Sequence, residues 1–183
     1  IITHPLNASG KLPAILFVQW LSCDSIELPL NVDDGWQRML QRLAARSGMV
    51  MMRTDKSGVG DSRGRPCSEL DYNTEVNHHR EALKVLREFP LVDRDRIIVF
   101  GASMGGNMAS LVAQGGRAAG IAGMIIWGTA AKSWFEHLIE FNRRSLELSG
   151  TPQNEILARI NRQILFHTQY LILKKTPKQI EQE

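Results

Sequence analysis

Arg96-Ile97-Ile98-Val99-Phe100-Gly101-Ala102-Ser103-Met104-Gly105-Gly106-Asn107-Met108-Ala109 is the stretch whose reading decides the fold. Ile97 to Phe100 are all β-branched or aromatic, the pattern of a strand buried on both faces, and the small residues after them permit an abrupt reversal into a helix. The spacing therefore predicts strand, tight turn and helix, with Ser103 at the apex. For the hydroxyl to project from the end of a sheet, the serine backbone must be strained, and side chains two residues to either side would strike the neighbouring strand and helix. Gly101 and Gly105 remove those side chains. The Met104 N–H, in the first helical turn, then faces the space over Ser103 Oγ, where negative charge would develop during attack on a carbonyl. The bland alternative is a glycine-rich turn without chemistry, and the flanking strand and helix argue against it.

The rest of the chain is that of an ordinary globular protein. Its 183 residues suit one domain with a sizeable core, and 43% hydrophobic with 22% charged residues is unremarkable in composition. The net charge is +3 and the basic residues are scattered, so no nucleic-acid partner is implied. No apolar run approaches the ~20 residues of a membrane span. The start, Ile1-Ile2-Thr3-His4-Pro5, lacks both a signal-peptide pattern and an initiator methionine, which gives the expectation of a processed or cut N-terminus and leaves the compartment unread.

Outward from the central stretch, residues 1 to 11 end in a turn at Asn7-Ala8-Ser9-Gly10-Lys11, and Leu12 to Trp20 is the first clear strand. A helix opens at Asp33 or Asp34, with Trp36, Met39, Leu40 and Leu43 as its apolar stripe, and Ser47-Gly48 stops it. Met49 to Asp55 is the next strand. The loop Lys56-Ser57-Gly58-Val59-Gly60-Asp61-Ser62-Arg63-Gly64 is glycine-rich, but its spacing fits neither the dinucleotide fingerprint nor the P-loop. Residues 73 to 89 read as a helix with Val76, Leu83, Leu86 and Phe89 inward. Its His78 and His79 diverge by about 100° and cannot share a metal ion, so both read as surface or structural residues. Asp93-Arg94-Asp95-Arg96 reads as a charged turn. After Ser103 a helix runs from Asn107 to Gln114 and is capped by Gly115-Gly116, and Ile121 to Trp127 is a further strand. Residues 133 to 148 and 151 to about 175 are long helical patterns. The second has Thr151 as N-cap, Pro152 at the first helical position and an apolar stripe of Ile156, Leu157, Ile160, Ile164 and Leu165.

Two of these motifs resemble the α/β-hydrolase family, including its serine esterases and prolyl-oligopeptidase-like members. Gly101-x-Ser103-x-Gly105 between strand and helix resembles the nucleophile elbow, and Asp55-x-x-Gly58-x-Gly60-x-Ser62 resembles the loop that follows the preceding strand. The resemblance implies an α/β three-layer sandwich with a mainly parallel sheet, four of whose strands are visible and are ordered second, first, third, fourth. It divides the chain into a partial core over residues 1–130 and a helical cap segment over 131–183. It implies Ser103 as nucleophile and Met104 N–H as one oxyanion donor. The other is Leu21 N–H by alignment or Trp20 N–H as the alternative, although Gln19-Trp20 stands where many members have His-Gly.

The family places its acid and histidine after the nucleophile, yet no strand is visible beyond Trp127. His137, His167, Glu136, Glu140, Glu147 and Glu155 all lie in helical patterns. The expectation is therefore a portion of a longer hydrolase acting on a small-molecule ester or a peptide, with no metal or organic cofactor and with an uncovered sheet edge or cap helices open to self-association. Cys23 and Cys67 are too few for a disulfide framework and do not have metal-site spacing. They follow two strands that, if neighbours, would allow a Cys23–Cys67 bridge, the alternative being two free buried thiols. Two rival functions remain. One is a hydrolase-like scaffold kept for binding. The other is an NAD(P)-dependent short-chain dehydrogenase, suggested by Gly101, Gly105 and the pair Tyr170 and Lys174 but opposed by Asn107 at the third glycine position.

Overall fold

Alternation along the central strands decides the layers. Ala14, Leu16 and Val18 of β2 (Leu12–Val18) join one apolar cluster, whereas Ile15 and Phe17 join another on the opposite face. The computed structural model describes residues 1–27 and 32–182. Its sheet has the order β1-β3-β2-β4-β5, with β1 (Ile2–Thr3) antiparallel to β3 (Val50–Arg53) and all other pairs parallel, including those of β4 (Val92–Ala102) and β5 (Ile121–Trp127). The four longer strands thus take the order expected from the family. β1 is additional. Two residues, Ile2 and Thr3, pair with Met52 and Met51, too short a segment to carry an alternation of its own.

One face is covered by α2 (Tyr72–Glu88) and α3 (Met104–Val112), which bring Val76, Leu83, Leu86, Met108, Ala109 and Val112 onto the sheet. The other is covered by α1 (Gly35–Arg46) through Leu40, with Trp36, Met39 and Leu43 alongside. The result is an α/β three-layer arrangement around a mostly parallel sheet. Asp34 caps α1, its carboxylate accepting from the Gln37 N–H at 2.8 Å, and Asp71 does the same for α2 from Thr74 at 3.0 Å.

The structure corrects the sequence reading in several places. Asp93 to Arg96 belong to β4: the backbone stays extended, and the register slips from Leu12↔Val92 to Ala14↔Ile97, so the charged residues bulge to solvent. In keeping with the reading of the two histidines as surface or structural residues, His78 of α2 is exposed and His79 is buried. Helix α3 ends at Val112, two residues short of the expected end, and Gly115, at φ 99°, leads into a short 3₁₀ turn over Gly116–Ala119.

The chain divides into two compact units, Ile1–Thr129 and Ala130–Glu183. In the second, α4 (Trp134–Leu148) carries a capping box between Ser133 and Glu136 and packs against α5 (Gln153–His167). Pro152, not Thr151, is the N-cap of α5, and the Thr151 hydroxyl hydrogen-bonds instead with that of Ser149 at the end of α4, 3.0 Å away. The expected long helix stops at His167 and continues as a π-turn over Thr168–Ile172, followed by the single turn α6 (Pro177–Ile180). Of the expected α5 stripe, Ile156 and Ile160 are buried and Leu157 and Leu165 are exposed. Among the described residues no helix is long and apolar enough to cross a membrane.

Candidate active site

Ser103 sits where β4 turns into α3, with φ 54° and ψ −126°. A non-glycine residue at positive φ costs on the order of 1–3 kcal/mol and persists only where its surroundings dictate it. Here three backbone contacts do so. The Ser103 N–H donates to the Trp127 carbonyl at 2.8 Å, and the Ser103 carbonyl accepts from the Gly106 N–H at 3.0 Å and from Thr129 Oγ1 at 2.8 Å. The serine is exposed, with Gly101, Ala102, Gly105 and Gly106 buried around it.

The glycines explain why the turn can be this tight. A Cβ on Gly101 would overlap the Gly105 carbonyl and the first turn of α3, and one on Gly105 would overlap the Val18 and Gln19 carbonyls at the end of β2. Gly106 is as constrained as either: its Cβ would run into the Thr129 hydroxyl and Ile126. Sequence reasoning missed that third requirement, and the Gly-Gly pair was the available signal. The close approach of Gly105 to Gln19 also brings the elbow against the start of the loop holding Trp20 and Leu21. Neither the Leu21 nor the Met104 N–H meets an acceptor among the described residues. Trp20 is held by its indole N–H on Ser22 Oγ at 2.8 Å and by a ring contact with Trp36 at 5.3 Å, which in turn meets Trp127 at 4.8 Å. Trp36, Met39, Phe100 and Trp127 line an apolar groove of about 410 Å³.

The loop from Trp20 to Glu27 is tied to the segment after β3 by three links. Cys23 and Cys67 form a disulfide, with Cα atoms 5.7 Å apart. Asp55 accepts from Ser25 Oγ at 2.6 Å and from the Ile26 N–H at 2.8 Å. Lys56 Nζ pairs with Glu75 at 2.6 Å and donates to the Leu21 carbonyl at 2.8 Å. His79 lies beside this ion pair. Burial first, and then the Lys56 charge and His78, push its pKa down to about 4 from 6.5, so the ring is neutral at pH 7.

No histidine or carboxylate hydrogen-bonds Ser103 Oγ among the described residues. In the second unit, the His137 ring lies 5.2 Å from Trp134 and 6.0 Å from Phe141. The His167 ring lies 5.4 Å from Phe166 and 6.3 Å from Phe135, with Nδ1 buried and unpartnered. No cluster of three or more His, Cys, Asp or Glu residues able to hold a metal occurs among the described residues.

Strand order, layers and corner define an α/β-hydrolase. Residues 35–175 match the family described as serine aminopeptidase, S33, and the chain belongs to that family. It is similar to the esterase FrsA of Pectobacterium atrosepticum, being 28% identical over 118 residues that cover 59% of this chain and 26% of the relative. Among solved structures, the α/β hydrolase GrgF from Penicillium sp. sh18 has a TM-score of 0.55 at 20% identity, covering 82% of this chain and 54% of that one. A hypothetical protein from Pseudomonas aeruginosa has a TM-score of 0.57 at 18% identity, covering 92% and 57%. These two likenesses speak for the fold. The chain spans about a quarter of the length of the curated esterase and little more than half of the two solved structures.

Proposed function

We propose that this chain carries the nucleophile and the oxyanion hole of a serine hydrolase that cleaves a carboxylic ester, or else a peptide or amide bond. Ser103 Oγ attacks the carbonyl carbon and passes its proton to a histidine. The carbonyl oxygen becomes an oxyanion held by the Met104 N–H and by the Leu21 N–H, with Trp20 N–H as the alternative second donor. The tetrahedral species expels the alcohol or amine, which takes up the proton, and water then releases the acyl group from Ser103. This chemistry calls for no metal or organic cofactor. The acid and the histidine are assigned to segments outside residues 1–183, and α4 and α5 to a cap. The bare outer edge of β5, where Met124, Ile125, Ile126 and Trp127 are exposed, is the place for further strands or for a second copy to pair.

The observation that carries this reading is the strained, exposed Ser103 at a corner closed onto the end of β2. One observation favours a binding scaffold instead: nothing among the described residues hydrogen-bonds Ser103 Oγ to activate it. A fluorophosphonate and a short-chain aryl ester separate the two. In the full-length protein, Ser103 is expected to be labelled, and Ser103→Ala to lower turnover by at least about 10⁴-fold. The 183-residue chain alone is expected to show little or no turnover. Full-length protein that is neither labelled nor active would favour the scaffold, and Ser103-dependent turnover by the short chain would refute the assignment of the base elsewhere.

A further inference from the structure

We propose that Lys56 is a positioning residue for the oxyanion hole, its buried ammonium clamping the Leu21 carbonyl so that the adjoining Leu21 N–H is held toward Ser103. This rests on the reading of Ser103 as nucleophile and Leu21 as donor. The Lys56 side chain is 3% exposed and that of Glu75 is 9% exposed, with Nζ and Oε1 2.6 Å apart. Removing both charges from water is expensive, and an apolar pair of similar volume is often as stable or more so. Stability is thus a weak reason for such a pair, and its geometry is the better one. Glu75 balances the ammonium charge as an ion pair, and an ammonium N–H donates to the Leu21 carbonyl at 2.8 Å.

Leu21 needs such a hold. Its side chain is 53% exposed, so no apolar burial anchors it. The loop's other two links lie downstream, at Cys23 and at Ser25 and Ile26. Upstream, the last paired residue of β2 is Val18, opposite Gly101. Among the described residues, the main chain between Val18 and Cys23 is linked to the segment after β3 by the bond from Lys56, one peptide away from the proposed donor. The Leu21 carbonyl lies in the peptide after Leu21 and the N–H in the peptide before it, so holding the carbonyl, with the disulfide two residues on, narrows the range through which the preceding amide can turn about the two dihedrals of Leu21. A donor that is 1 Å or a few tens of degrees off loses much of its hold on a developing charge.

The test uses the full-length hydrolase and four variants: Lys56→Met, Glu75→Gln, the double variant Lys56→Met with Glu75→Leu, and Ser103→Ala. The readouts are kcat and KM for a short-chain aryl ester, and the affinity of a trifluoromethyl ketone, which becomes an oxyanion only after the serine adds to it. Loss of one oxyanion donor costs about 10²–10³ in kcat, so its misplacement in Lys56→Met and in the double variant is expected to cost about 10- to 100-fold. KM should move less than about twofold, and the ketone should weaken by the same factor as kcat. The double variant leaves no unpaired buried charge and is expected to melt as the wild type does, which separates positioning from folding. Wild-type kcat and ketone affinity in a folded double variant would overturn the role of Lys56, provided Ser103→Ala is inactive. Turnover that survives Ser103→Ala would overturn the underlying reading of the site instead.

Discussion

The corner at Ser103 and the loop from Trp20 to Glu27 meet at one end of the sheet, yet they are held in place by different means. The corner is made by the main chain. Three glycines let α3 close on β4 and on the end of β2, and every bond that fixes Ser103 uses its own backbone. The loop has no regular structure and no apolar anchor at Leu21. It hangs on a disulfide, a carboxylate and an ammonium contributed by residues 29 to 44 positions away in sequence, with Arg53 of β3 pairing with Glu27 at its end. The corner's requirement for small residues is therefore written in a local stretch, although Trp127 and Thr129 help to hold it, whereas the loop's placement is written only in the assembled sheet.

Three measurements would break or sharpen that contrast. The largest effect is expected from Cys67→Ser. The bridge closes a loop with a sequence separation of 44, worth about 4 kcal/mol by chain entropy. Urea unfolding should show a loss of that order, and amide exchange should quicken over residues 20–27 while residues 101–106 stay protected. Equal loss of protection in both segments would mean that the corner depends on the loop's tethers after all.

The next effect comes from His79, which stands against the loop's tether and has no counterpart at the corner. Its folded-state pKa of about 4 lies below the ordinary 6.5, so the unfolded chain binds the proton more readily. Its contribution to stability is fully present above pH 6.5 and is lost as pH falls toward 4, by about 3 kcal/mol at 1.36 kcal/mol per unit. Unfolding free energies measured between pH 7 and 4 should fall more steeply in the wild type than in His79→Gln. Parallel slopes would remove His79 from the account.

The smallest effect is expected from Gly105→Ala. The new methyl must push the Val18 and Gln19 carbonyls aside, at about 1–3 kcal/mol by the usual cost of overpacking. It should nevertheless abolish fluorophosphonate labelling of Ser103 in the full-length protein. A variant that keeps its labelling rate would show that the corner tolerates slack and is not fixed by close approach.

The same contrast explains what could be read beforehand. The corner was legible because its demands fall within two residues of Ser103, at Gly101 and Gly105, between a strand and a helix. The three layers were implied by the family resemblance that this corner and the Asp55 to Ser62 loop carry, and stripes such as Trp36, Leu40 and Leu43 marked the helices that form them. The tethers were not legible, because even with β3 placed beside β2 they depend on the course of two irregular loops that no periodicity describes. Only the Cys23–Cys67 bridge could be framed, as one of two alternatives conditional on that pairing. A clue to Lys56 did exist: Glu75 and His79 share the inward stripe of α2 with Val76, Leu83 and Leu86, and a carboxylate on such a stripe asks for a buried cation. β1 was too short to register, and the bulge at Asp93 to Arg96 looked like a turn because four charged residues in a row interrupt the apolar pattern; in the structure the Asp93 carboxylate accepts from the Asp95 N–H and pairs with Arg96.

The way Ser103 is fixed has a consequence for engineering. Since only main-chain atoms of residue 103 hold the bend, the chemistry mounted there is interchangeable in a way its location is not. A sulfur in place of the oxygen would fit the same perch, whereas moving the nucleophile to position 101, 105 or 106 would put a side chain where the helix, the neighbouring strand or the Thr129 hydroxyl already stands.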